Sequence, residues 1–158
     1  MKKTIFLLLA LCASTVSMFG QGAKNIKINE VLTNNKANLQ DEYGNRNAWV
    51  ELANTAFSTY NVRGMYITTD RRVLDKNLTV AQRTSMMSCI LNGDDRTSLS
   101  ARDHIVFFLN GNHAQGSLHL DAKAVNGNPV WVALYDGNGI DLIDSVSVPA
   151  LAADQSYA

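Results

Sequence analysis

Cysteine is nearly absent from this chain of 158 residues, which carries only Cys12 and Cys89. A dense disulfide framework is therefore excluded as the source of stability. Charge of one sign is missing too, with 14 Lys and Arg against 14 Asp and Glu. A nucleic-acid backbone would call for a basic excess, so that class of partner is not expected. No apolar run approaches the roughly 20 residues needed to cross a bilayer; the longest, Ile5 to Val16, is too short and has no stop-transfer flank. His104, His113 and His119 show no H-E-x-x-H spacing, and neither Ser145 nor Ser156 lies in a G-x-S-x-G elbow. Internal repeats and low-complexity tracts are also lacking, which leaves one ordinary globular domain to explain.

What is present begins with Lys2-Lys3, the apolar stretch, and then Ser17-Met18-Phe19-Gly20-Gln21. That is the layout of a secretory signal peptide, with cleavage expected after Gly20 and export of residues 21–158. Cys12 invites a lipoprotein reading, but Leu11 stands where a small residue is needed. Processing removes Lys2 and Lys3 from the 14 basic residues, leaving 12 against 14 acidic and a net charge of −2. It also removes Cys12, so the exported part has no intrachain disulfide and rests on its core.

The patterning of that part is β-rich. Ile26-Lys27-Ile28 alternates apolar and polar, and Ala48-Trp49-Val50-Glu51-Leu52 places Val50 and Leu52 on one face. Tyr60 to Thr69 reads as a third strand with Gly64 as a bulge or close approach. Ile105 to Leu109 reads as a buried strand, and Leu118-His119-Leu120 as a short one. Val130 to Tyr135 and Ile140 to Val148 flank Asp136-Gly137-Asn138-Gly139, whose residues tolerate positive φ, so the whole reads as a hairpin. Leu78 to Leu91 differs. Thr79-Val80-Ala81-Gln82 fits a capping box, and Met86/Ile90 and Met87/Leu91 lie four apart, which predicts one short helix lying as a lid on the sheet. Six to seven strands, one helical insertion and no βαβ alternation predict an all-β sandwich.

Five blocks in order carry a resemblance: Ile28-Asn29-Glu30-Val31, Trp49 to Asn54, Val62 to Ile67, Leu134 to Gly139 with Asp144-Ser145-Val146, and Asp154 to Ala158. Together they resemble the lamin-tail domain over residues 26–158. The resemblance implies an immunoglobulin-like β-sandwich. Two departures, the helical insertion and Asn126-Gly127-Asn128-Pro129 in place of a glycine-rich turn, set the loops apart from the family pattern and leave its core intact. More narrowly, the start at Lys24, the insertion and the Tyr135 to Asp141 hairpin are similar to the exported N-terminal part of Bacteroidetes proteins. In those proteins a lamin-tail domain precedes a membrane helix, and the following segment resembles the gamma subunit of sodium-pumping decarboxylases. The family signature runs on past Tyr157, so that resemblance implies a domain cut short at Ala158, with an anchor beyond it.

Candidate chemistry is sparse. Asp136, Asn138 and Asp141, with Asp144 beyond, supply oxygens for a calcium loop, but Ile140 stands at a ligand position, Asp141 where a glycine is needed, and the distal glutamate is missing. Turn formation explains the same residues. Asp94-Asp95-Arg96 followed by Arg102-Asp103-His104 is either an acid–base cluster or a solvated loop before a strand. Cys89, beside Ile90 and Leu91, reads as a packing residue of the helix. Asn77-Leu78-Thr79 is a glycosylation sequon, and Asp144-Ser145-Val146 resembles the sites at which Bacteroidetes attach O-linked glycans, making Ser145 a modification candidate. Trp49, Trp131, Phe107, Phe108 and Tyr135 would stack sugars if exposed, although core packing is their default. Arg71-Arg72 beside Asp70 and Asp75 reads as a mixed-charge loop.

These readings converge on a non-catalytic exported binding or scaffolding module in the periplasm or at the cell surface. It would need no cofactor and recognise a protein or cell-envelope partner. Two alternatives stand beside it: an extracytoplasmic domain that docks with membrane decarboxylase subunits, and a metal-assisted hydrolase using the Asp136 loop.

Overall fold

The computed structural model describes residues 22–158, so the expected signal peptide lies outside the described residues. The elements run β1 (Ile26–Leu32), β2 (Trp49–Asn54), β3 (Tyr60–Asn61), β4 (Tyr66–Thr68), α1 (Val80–Thr84), β5 (Ser88–Cys89), β6 (Ser98–Leu99), β7 (His104–Phe108), β8 (Val130–Tyr135) and β9 (Leu142–Val148). Every pairing is antiparallel. One sheet has the order β1-β2-β7, a second β5-β4-β8-β9, and β3 pairs with β6 alone. The fold is all-β, as expected of an immunoglobulin-like sandwich. Nine strands are described, because three two-residue strands join the longer ones.

Alternation explains the core. Val50 and Leu52 pair with Phe107 and Ile105 and face inward, where they meet Ile67, Val132 and Leu134 of the other sheet. Burying a side chain of this size contributes about 1.5–3 kcal/mol relative to leaving it in water. In the second sheet β8 is buried on both sides. Trp131, Ala133 and Tyr135 turn outward on β8 and form a smaller core with Val73, joined by Tyr66, Met86 and Met87.

That outer core shows how the insertion works as a lid, and it corrects the helix. Thr79 accepts from Gln82 N while the Gln82 side chain accepts from Thr79 N, the expected capping box. The helix then stops at Thr84 and does not reach Leu91. Thr84 and Ser85 hydroxyls donate to carbonyls of the preceding turn, which competes with helix continuation. Ser88 and Cys89 pair with Ile67 and Tyr66 instead. Met86 and Met87 therefore cover the outer core while Ile90 enters the main one, and the four-residue spacing has no helical meaning. The helix itself buries nothing and rests against the hairpin turn at Gly139. That glycine has φ +67°, and a Cβ there would lie 2.3 Å from Thr84 Cγ2.

Two further expectations are corrected. The third strand is two strands in different sheets, because Gly64 at φ +82° turns the chain between them. Leu118 to Leu120 forms no extended strand, only a parallel bridge from His119 to Phe108. The hairpin is present as read. Its strands pair from Val130↔Val148 to Tyr135↔Leu142, with a register shift after Leu134.

The C-terminal segment closes the open side of β1. Val31 and Tyr157 exchange both backbone hydrogen bonds at 2.9 Å, and Ile28 N donates to Asp144 Oδ2 at 3.0 Å. Asp154 accepts the amides of Lys36, Ala37 and Asn38, which pins the polar loop after β1. Its carboxyl is held below the usual range by those backbone donors. No helix among the described residues is long and apolar enough to cross a membrane.

Candidate functional site

The Asp136 loop satisfies itself. Asp136 Oδ1 accepts from Gly137 N, Asn138 Oδ1 from the amides of Ile140 and Asp141, and Asp141 Oδ2 from Asn138 Nδ2. These are the Asx-turn bonds that Asp and Asn make with their own backbone. Three of the oxygens a cation would want are thus engaged in the turn. Among the described residues no group of three or more His, Cys, Asp and Glu is gathered.

The three histidines are separate. His104 is exposed on β7. His113 Nδ1 lies 2.9 Å from Asp121 Oδ2, and that hydrogen bond lowers the Asp121 pKa. His119 is buried and stacks on Phe108 with centroids 5.1 Å apart. Asn112 N donates to Asn110 Oδ1, so the Asn110 amide nitrogen faces His119 Nδ1 at 2.9 Å. That amide nitrogen can only donate, so Nδ1 is the acceptor of the contact. Nε2 stands 3.2 Å from Glu42 Oε2, off the line of a hydrogen bond. This ring acts as a plug on the outer face of β7.

Asp94, Arg96, Asp103 and His104 do not form an acid–base relay. Asp94 accepts both the backbone N and the Nε of Arg96, at 3.0 and 2.9 Å, and Ser117 Oγ at 2.7 Å. The Arg96 fork, with help from Ser117, holds its carboxyl well below the usual range. Asp103 caps His104 N, and the Arg102 guanidinium lies over Phe57. Yet Arg96, Asp103 and His104 do converge on one cleft of about 480 Å³, which the sequence did not lead us to expect. Its walls include Leu39 and Glu42 of the polar loop, with Val106, Phe108 and Leu118.

The parity of β7 makes this cleft notable. Antiparallel strands exchange hydrogen bonds through alternate residues. Asn54 N donates to Asp103 O and Leu109 N to Ala48 O, so odd positions from 103 to 109 face β2. Even positions face the other way. Phe108 is covered there by Leu118 O and Leu120 N, and His104 N is taken by Asp103 Oδ1. Among the described residues nothing pairs with the amide and carbonyl of Val106, which lie on an open sheet edge lining the cleft.

A second cleft, of about 570 Å³, lies where β8 and β9 meet the segments around Arg71 and Lys123. Arg71 sits 5.4 Å from the Trp131 ring centroid and donates to Ser147 Oγ at 2.8 Å. Lys123, Asn128, Pro129, Val125 and Thr69 also line it. Neither Arg71 nor Lys123 was singled out as a site residue by pattern, since Arg71 reads as part of a mixed-charge loop.

The remaining candidates have plain structural places. Cys89 lies half-buried in β5, where burial raises its thiol pKa and disfavours the nucleophilic thiolate. Asn77 Nδ2 donates to Asp75, and Thr79 is the helix cap. Ser145 is exposed on β9 next to Asp144, whose carboxylate ties β9 to β1. Trp49, Phe107 and Tyr135 are core residues, while buried Phe108 borders the first cleft and Trp131 the second. No protein-family model matches the chain, and no curated protein matches it.

Proposed function

We propose that this chain is a non-catalytic, exported binding or scaffolding module of the lamin-tail type, acting in the periplasm or at the cell surface on a protein partner. The observation that carries the reading is the open backbone of Val106 beside the cleft. A partner segment laid along β7 gains main-chain hydrogen bonds there, and Leu39, Phe108 and Leu118 receive its side chains. The ionisable groups around the cleft favour binding over turnover, because Asp94 is committed to Arg96 and Ser117 and Asp103 accepts from its own neighbour. The five ordered sequence blocks support the lamin-tail assignment, and the leader supports export.

Proline at 106 is the discriminating substitution. It removes an N–H that β2 does not use, which edge strands tolerate. A photo-crosslinking side chain at exposed position 104, in the cells that produce the chain, is expected to give a discrete heavier adduct. Val106→Pro should abolish it, whereas Val106→Ala, which keeps the amide, should retain it. An adduct untouched by Val106→Pro, or none in any variant, would sink the edge as the docking site.

A further inference from the structure

The second cleft carries two cations whose neighbouring carboxylates are already committed. Arg71 and Arg72 are adjacent but differ in what they face. Arg72 is forked onto Asp70, with Nε at 3.0 and 2.9 Å from its two oxygens. Among the described residues Arg71 meets a neutral hydroxyl and an aromatic face. Lys123 is two residues from Asp121, but that carboxylate binds His113 through both the ring Nδ1 and the backbone N. Among the described residues no carboxylate lines the cleft.

The Arg71 guanidinium and the Lys123 backbone and stem are tethered. Arg71 is fixed at two points, by Ser147 Oγ and by the Trp131 ring, so little side-chain freedom remains to be lost on binding. The Lys123 carbonyl accepts from Thr69 Oγ1 at 3.1 Å, and its residue bridges to Asn110. The Lys123 stem lies on Gly111, where a Cβ would come within 3.4 Å of Lys123 Cδ. Beside the two cations the wall mixes hydroxyl and amide groups (Thr69, Ser147, Asn128) with the C–H surfaces of Pro129 and Val125. A cleft of this volume is within the range of small-ligand sites.

From this arrangement we infer that the cleft binds an acidic saccharide, a hexose bearing a carboxylate or sulfate, with the anion between Arg71 and Lys123. The ring hydroxyls meet Asn128, Ser147 and Thr69, and the C–H face of the sugar lies on Pro129 and Val125. This site is separate from the β7 edge and does not depend on the proposal made for it.

The test is a titration followed by amide and indole NMR shifts, with glucuronate and glucose 6-sulfate as probes. Methyl glucoside is the neutral control and sodium sulfate the bare anion. Saturable shifts centred on Trp131 and Ser147 are expected with either acidic sugar, weakening as salt rises, because exposed charge pairs are screened. The neutral sugar should bind about tenfold more weakly or not at all, as should either acidic sugar to Lys123→Gln or Arg71→Gln. Arg72→Gln, which alters the neighbouring paired arginine, should leave the affinity unchanged. Retained Trp131 shifts in unliganded Lys123→Gln will show that its cleft is intact. Equal response to methyl glucoside, equal response to sulfate alone, no saturation with either acidic sugar, or equal loss in Arg72→Gln would each overturn the inference.

Discussion

Two turns in this protein are built on one plan. At Asp70 and at Asp94 an aspartate caps a short 3-10 turn by accepting the backbone N of the residue two positions on, and the arginine at that position folds its fork back onto the same carboxylate. The amide distances are 2.9 Å in the first and 3.0 Å in the second. The difference lies in what else touches the acid. Asp70 is 28% exposed and its arginine 80%, whereas Asp94 is 12% exposed and also accepts from Ser117, 23 residues later in the chain. One motif is a local cap; the other is a cap and a tie between the β6 region and the segment that plugs β7. An aspartate–arginine pair is thus no sign of catalysis here, since its twin sits in an ordinary surface turn.

The sharpest way to break the comparison is to delete each acid. Asp94→Ala removes the cap, strands the Ser117 hydroxyl and frees Arg96 beside the β7 cleft. A loss of about 1–3 kcal/mol is expected, read as a fall in Tm of several degrees. Asp70→Ala removes only the cap and an exposed ion pair, so about 0.5–1 kcal/mol is expected. Equal losses would erase the distinction between the two turns.

Acid titration tests the same contrast by another route. Both carboxyls have folded-state pKa values lowered, first by the arginine fork. The unfolded chain therefore binds protons at higher pH than the folded one, and stability rises with pH through that interval. The contribution is fully present above the unfolded value of about 4 and is lost as pH falls through the lower folded values. Denaturant midpoints measured from pH 5 down to pH 2 should drop, and Asp94→Asn should flatten that drop more than Asp70→Asn does. A steeper slope in Asp94→Asn would contradict the depressed pKa.

The two turns also show what a sequence reveals and what it hides. Asp94-Asp95-Arg96 and Asp70-Arg71-Arg72 are visible as mixed-charge clusters, but nothing local marks Ser117 as the partner of one and not the other. The hairpin from Val130 to Val148 was legible because alternation, turn residues and strand propensity all agreed. The stretch from Met86 to Leu91 was misread because short apolar runs fit either period, and pairing of Ser88-Cys89 with β4 decided it. Val106 has no chemical signature whatever. Its openness depends on strand parity and on where Leu118 to Leu120 stops covering β7, which only tertiary structure fixes. Arg71 and Lys123 line one cleft from loops 52 residues apart, so that cleft has no linear pattern to find.

The finest test separates the tie from the cap. Ser117→Ala leaves Asp94 with its cap and its arginine, and the loss should be small, about 0.5–1 kcal/mol. In an Asp94→Ala background the same substitution should cost nothing, because the hydroxyl has already lost its acceptor. The interaction energy of that double-mutant cycle is therefore the part of Asp94 that Asp70 lacks. If the cycle closes with no coupling, the 2.7 Å contact contributes nothing and both aspartates are plain caps. If coupling is found, Ser117→Ala should also raise the exchange of the Phe108 amide with solvent, since its acceptor is the carbonyl of neighbouring Leu118. That exchange measurement would show whether the Asp94 turn governs how far the β7 edge is covered, and Asp70→Ala is expected to leave it unchanged.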